Sequence, residues 1–117
     1  MRRRILLVDD NKDAADSLAA LLRMSGHDVL VAHDGPHALE LAAATDPAAV
    51  LLDLGLPGMD GFEVARRLRF VPGVCHARLI ALTGYGQADD RQATARAGFD
   101  AHLVKPVDYD ELARLLA

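Results

Sequence analysis

A small set of residues in this sequence could act together: the pair Asp9-Asp10, then Asp53, Thr83 and Lys105. Each directly follows or closes a short apolar, β-branched run. Taken singly, they read as solvated turns, helix caps or surface charges. Brought to one end of a sheet, three carboxylates repel one another and cost stability unless a cation or a lysine compensates. A hard divalent ion meets that need. Mg²⁺ prefers oxygen ligands and keeps several waters, so Asp10, Asp53 and the backbone carbonyl of Gly55 would make a shallow site. Charge would then be neutralised during in-line phosphoryl transfer, with Asp53 as nucleophile and Lys105 as a second positive clamp. The product would be an acyl phosphate.

These residues meet only if the chain gathers its strand ends. Apolar runs at 5–8, 29–32, 50–52, 79–82 and 101–104 alternate with helical segments, the pattern of βαβ units and a parallel sheet. Leu18, Leu21, Leu22 and Ser25 keep a helical period behind the capping candidates Asn11 and Asp13, and Gly26 supplies a left-handed stop. Asp34-Gly35-Pro36 opens a second helix, with Ala38, Leu39, Ala42 and Ala43 as its buried stripe. A third helix carries Phe62, Val64, Ala65 and Leu68 before Pro72-Gly73. The spacing predicts a fourth over 88–97, stopped at Gly98, and a fifth after Pro106 bearing Leu112, Leu115 and Leu116. The expected fold is α/β: one domain over 1–117 with a doubly wound parallel sheet. Ligands of such sheets bind at the carboxyl ends of the strands, near the point where strand order reverses.

Bulk properties narrow the function classes. Apolar residues make up 51% of the 117, yet charges interrupt them well short of the roughly 20 apolar residues of a membrane-spanning helix. No secretory apolar region follows Arg2 to Arg4, and Cys75 has no partner cysteine, so a reducing, cytoplasmic location is expected. With 17 acidic against 13 basic side chains and no long basic stretch, direct nucleic-acid binding and membrane binding are not expected.

Four stretches carry a family resemblance: Leu-Leu-Val-Asp-Asp-Asn at 6–11, Leu-Leu-Asp-Leu-Gly-Leu-Pro-Gly-Met-Asp-Gly at 51–61, Ala-Leu-Thr-Gly at 81–84 and Val-Lys-Pro at 104–106. Their order and spacing resemble response-regulator receiver domains of bacterial two-component systems, over essentially the whole chain. The resemblance implies a flavodoxin-like (βα)5 fold with strand order 2-1-3-4-5. It implies Asp53 as phosphoacceptor, Asp10 as a direct Mg²⁺ ligand, Asp9 as a metal-site acid acting through water, and Gly55 contributing its carbonyl. Thr83 would be the switch hydroxyl, Gly84 the small residue that keeps the site accessible, and Lys105 the phosphoryl partner. Pro106 would follow a cis peptide bond. His102 stands where many relatives have Tyr or Phe, which puts the usual aromatic coupling route in question, and its titration near neutral pH would make a swing of the ring pH-sensitive. Tyr85 is placed to hover over the phosphoryl site.

The implied partners are a histidine kinase or phosphotransfer protein, docking on the first helix and the loop after Lys105. Output would pass through the surface of the fourth helix, fifth strand and fifth helix, from a monomer or weak dimer. Because the sequence runs out within the fifth helix, the expected contexts are a stand-alone regulator or the receiver of a hybrid sensor histidine kinase. The Ala-Leu-Thr-Gly-Tyr-Gly-Gln and His-Leu-Val-Lys-Pro-Val-Asp stretches favour the hybrid kinase. On this reading the domain is a self-phosphorylating and self-dephosphorylating switch rather than an enzyme. A haloacid-dehalogenase-type phosphatase also uses a strand-end aspartate with Mg²⁺, but it needs a second carboxylate where this chain has Gly55. A flavin-binding module would need a phosphate loop where Asp9 and Asp10 stand. A purely structural adaptor would ignore metal and phosphodonor alike. His33 and His37 straddle Gly35-Pro36 with no cysteine nearby, a poor zinc pair.

Overall fold

In the computed structural model, which describes residues 3–56, 58, 60–74, 76–84 and 96–116, the apolar runs become β1 (Arg4–Val8), β2 (Asp28–Ala32), β3 (Ala49–Asp53), β4 (Arg78–Thr83) and β5 (Ala101–Val104). All pair in parallel, in the order β2-β1-β3-β4-β5. Parallel neighbours need crossovers, supplied by α1 (Lys12–Met24), α2 (Gly35–Thr45) and α3 (Gly61–Leu68), while α4 (Tyr109–Leu116) follows β5. This α4 is the helix expected fifth in the chain. The one expected over 88–97 falls mainly outside the described residues, although Gly98, its proposed stop, has φ 101°, which only glycine adopts at low cost.

The alternation of side chains along the central strands divides the core in two. Leu6, Val8, Val50, Leu52, Leu79 and Ala81 face Ala38 and Ala42 of α2 and Val64, Ala65 and Leu68 of α3. Ile5, Leu7, Leu51, Ile80 and Leu82 face Ala15, Ala19 and Leu22 of α1 and Leu112 and Leu116 of α4. With both faces covered, β1 and β3 have no polar side to spare, hence their unbroken apolar runs. Some helical assignments change. Ala43 is exposed and Leu39 half-buried, because the buried face of α2 is only Gly35, Ala38 and Ala42. Ser25 is the C-cap of α1 rather than part of its stripe.

The helix starts are set by side chains that accept orphan backbone N–H groups. Asn11 caps Ala14 at 3.1 Å, Asp34 caps His37 at 2.8 Å and Asp60 caps Phe62 at 3.0 Å. An Asp34→Ala variant should lose about 1 kcal/mol of stability in urea unfolding, because His37 N–H then loses its acceptor.

At the opposite end of the sheet, His27 Nδ1 accepts the Arg3 backbone N–H at 3.1 Å. Partial burial, then neighbouring positive charge including Arg3, lowers the His27 pKa below its usual 6.5. The folded state therefore disfavours the proton. Its stabilising contribution is present above pH about 6.5 and fades as pH falls through the lowered value. Unfolding midpoints compared at pH 7.5 and 5.5 should drop more for the native chain than for His27→Gln.

Candidate functional site

Because the strands are parallel and in register, Asp9, Asp53, Thr83 and Lys105 emerge at the same edge. The Asp9 amide bonds the Ala32 carbonyl at 3.0 Å, the Leu54 amide that of Leu82 at 2.9 Å, and the Lys105 amide that of Thr83 at 2.7 Å. The ladder thus runs up to the site and fixes its floor. Asp9, Asp53 and Thr83 are the buried polar or charged side chains among the described residues, at 3%, 7% and 6% exposure. Buried polar groups in an apolar core require partners, and these have them.

Lys105 Nζ donates to Asp9 Oδ2 at 2.8 Å and to Asp53 Oδ2 at 3.1 Å. The second oxygen of each carboxylate takes a backbone amide two residues on: Asn11 N–H to Asp9 Oδ1 at 3.0 Å, and Gly55 N–H to Asp53 Oδ1 at 2.8 Å. Both aspartates are thereby held in fixed rotamers. Asp10 is exposed, and one carboxylate oxygen from each of Asp9, Asp10 and Asp53 lies within 4.8 Å of the others. Desolvation pulls the Lys105 ammonium down, but the hydrogen bonds and charges of Asp9 and Asp53 outweigh it and raise its pKa above 10.5. The lysine is a fixed cation at neutral pH.

Thr83 Oγ1 lies 3.2 Å from His102 Nε2 and 3.4 Å from the Leu103 carbonyl. A hydroxyl has one proton to give, and the carbonyl can only accept. If Thr83 donates to Leu103, His102 must carry its proton on Nε2 and donate to Thr83. His102 is thus a direct polar partner of the threonine. The Lys105-Pro106 bond is cis, as expected, and half-buried Gly84 follows Thr83 directly. Tyr85 and Cys75 lie outside the described residues.

One participant has no signal in the sequence: His33 Nδ1 is 2.9 Å from the Asp9 carbonyl, a contact across 24 residues. Among the described residues, the acidic trio is the one group arranged to hold a metal.

A doubly wound sheet ending in a lysine-bridged acidic cluster defines an α/β domain with its polar site at the carboxyl ends of the strands. The family model for the response regulator receiver domain matches residues 5–117, and the chain belongs to that family. It is 43% identical over 112 residues to a 14.6 kDa protein of Leptolyngbya boryana, covering 96% of this chain and 86% of that one. To the response regulator MprA of Mycobacterium ulcerans it is 40% identical, with all of this chain aligned to 50% of that protein. The chain therefore spans about half the length of that regulator. Among solved structures, it is similar to the receiver domain of the sensor histidine kinase PA1611 of Pseudomonas aeruginosa, which holds a magnesium ion coordinated in its active-site cleft. The TM-score is 0.87 at 34% identity, with 99% of this chain and 95% of that one covered. A CheY-like receiver domain protein of Methanospirillum hungatei aligns with TM-score 0.89 at 28% identity, covering 99% and 91%. The chain is thus a receiver domain of the two-component response-regulator type, and no helix among its described residues is long and apolar enough to cross a membrane.

Proposed function

We propose that Asp53 accepts a phosphoryl group from a histidine kinase or histidine phosphotransfer protein, with Mg²⁺ bound, and that the domain changes surface shape in response. The observation that carries this reading is the bridge of Lys105 between Asp9 and Asp53. It marks the carboxylates that belong to one reaction centre. The donor set fits the ion: it is all oxygen, and one ammonium against the carboxylates of Asp9, Asp10 and Asp53 leaves excess negative charge. Asp10, Asp53 and the Gly55 carbonyl would hold Mg²⁺, with Asp9 acting through water. When bound, the ion supplies charge neutralisation on the phosphoryl oxygens.

The chain's own residues do the rest. A carboxylate oxygen of Asp53 forms the new bond to phosphorus as the bond to the donor's leaving atom breaks. A carboxylate nucleophile has no proton to give up as it attacks, so no base is needed. The Gly55 amide fixes its carboxylate, and Lys105 can shift from Asp53 to the incoming phosphoryl oxygen while it keeps Asp9. Thr83 then exchanges its His102 and Leu103 contacts for the phosphoryl group. That exchange couples the site to β5, where Val104 is 48% exposed and Leu103 packs in one core with Leu112 and Leu116 of α4. Moving such a switch from mostly off to mostly on takes roughly 5 kcal/mol of differential interaction, within reach of a few charge-assisted hydrogen bonds.

The donor would dock in the groove between α1 and the loop after β5. Its volume is about 510 Å³, and Leu18, Leu21, Pro106 and Val107 line it beside Asp9 and Lys105. Output passes by protein contact from a stand-alone regulator or the receiver of a hybrid sensor kinase; the similarity to the PA1611 receiver favours the hybrid kinase. Incubation with acetyl phosphate tests the chemistry. The intact mass should rise by one phosphoryl group only when Mg²⁺ is present, and borohydride trapping should place the group on Asp53. A protein that binds Mg²⁺ yet gains no mass with either acetyl phosphate or a phosphorylated partner refutes the proposal.

A further inference from the structure

At the other end of the sheet lies a cavity of about 120 Å³, lined by Arg3, Ala48, Ala49, His76, Arg78 and Leu116. We propose that it is a second ligand site, which takes a small oxyanion, phosphate or carboxylate. Arg3, Arg78 and His76 give the lining three basic residues, in a chain whose net charge is −4. Among the described residues, no acidic side chain lines the cavity. The nearest acidic side chain in the adjoining depression, Asp100, has its Oδ2 taken by Arg69 Nη2 at 3.0 Å and by the Leu79 amide at 2.9 Å. Arg4, next in sequence to Arg3, is paired with Asp28.

The decisive observation is Arg3 Nε, which is buried without a hydrogen-bond partner. Folded proteins rarely leave a buried donor unpaired, least of all a charged one, so the guanidinium of this cavity-lining residue is not fully satisfied within the chain. An oxyanion is the natural acceptor for a guanidinium, whose planar N–H groups match two oxygens at once. The cavity is also built rather than accidental. The Arg3 backbone is pinned on both sides, its amide to His27 Nδ1 at 3.1 Å and its carbonyl to the Asp28 amide at 3.0 Å. The Arg78 amide bonds the Ala48 carbonyl at 3.0 Å, and the small side chains of Ala48 and Ala49 leave the space open.

Size restricts the ligand. The cavity's volume of about 120 Å³ gives room for a small oxyanion such as phosphate or a carboxylate. Position gives the site its interest. Arg78 opens β4 and Thr83 closes it, so the two ends of one strand, roughly 17 Å apart, carry the proposed anion site and the proposed switch hydroxyl. Arg78 Nη1 also donates to the Leu115 carbonyl, which ties the cavity to the last turn of α4.

The test is a ¹H–¹⁵N titration of the chain without Mg²⁺, using inorganic phosphate and, separately, acetate, with chloride at matched ionic strength as reference. Saturable shifts of the Arg3, Ala49, Arg78 and Leu116 amides are expected. Preference for phosphate identifies a free tetrahedral anion as the ligand, and equal or better response to acetate identifies a carboxylate. Arg3→Gln should weaken binding about tenfold or more, and His76→Gln should weaken it less; both should leave phosphorylation by acetyl phosphate unchanged. Should Arg3→Gln fail to fold, His76→Gln carries the comparison. Non-saturating shifts that follow chloride, or an affinity the same in both variants as in the native chain, would overturn the proposal.

Discussion

An Asp53→Asn variant should show no mass gain with acetyl phosphate and Mg²⁺, while remaining folded. The amide oxygen is neutral and a poor nucleophile, so the bond to phosphorus is not made, and the metal site loses one of its charges. The fold should barely notice. The side-chain amide is isosteric, its oxygen can still accept the Gly55 N–H now bonded at 2.8 Å, and Lys105 keeps Asp9 at 2.8 Å. Removing one of the mutually repelling carboxylates of the trio offsets the weakened lysine contact. The net change in unfolding free energy should stay within about 1 kcal/mol. Intact mass and urea unfolding on the same sample check both halves. A phosphoryl gain by the variant would mean that another residue is the acceptor.

Lys105→Met should have the opposite profile, with a large cost in stability when metal is absent. The thioether fills much the same volume but leaves Asp9 and Asp53, whose side chains are 4% and 11% exposed, without their cation. Breaking a buried pair from one side costs about 3–5 kcal/mol. Lys105 itself is 28% exposed, so screening by solvent reduces the expected loss to about 1–3 kcal/mol. Mg²⁺ should restore more stability to this variant than to the native chain, since the ion then supplies the only compensating charge. Denaturation midpoints with and without Mg²⁺ measure this. The raised pKa of Lys105 sets the pH window: its contribution is complete below the ordinary 10.5 and is lost only as pH climbs through the higher folded value. In the double variant with Asp53→Asn, the two effects should not add, because one contact is shared.

Most of the architecture was legible in the sequence because the doubly covered sheet imposes its own pattern. Strands buried on both faces must be apolar throughout, and Ile5, Leu6, Leu7 and Val8 could hardly be anything else. The caps Asn11 and Asp34 and the stop at Gly26 were local signals, set by orphan amides and a left-handed turn. The gathering of Asp9, Asp53, Thr83 and Lys105 followed from strand direction alone. What the sequence hid depends on distant partners. Nothing local says that His33 reaches the Asp9 carbonyl, whereas His102, which the resemblance set opposite the switch threonine, does lie beside Thr83. Ala43 was misplaced because α2 is alanine-rich on several faces, so composition did not reveal which one meets the sheet.

The contact between Lys105 and Asp9 joins residues 96 positions apart. During synthesis the lysine is made 96 residues after the aspartate; at about 5–20 residues per second the acid waits roughly 5–20 seconds for its cation. A chain cut short before β5 cannot assemble the proposed reaction centre, however well its first half has folded. On the proposed function, a product truncated before Lys105 would stay silent.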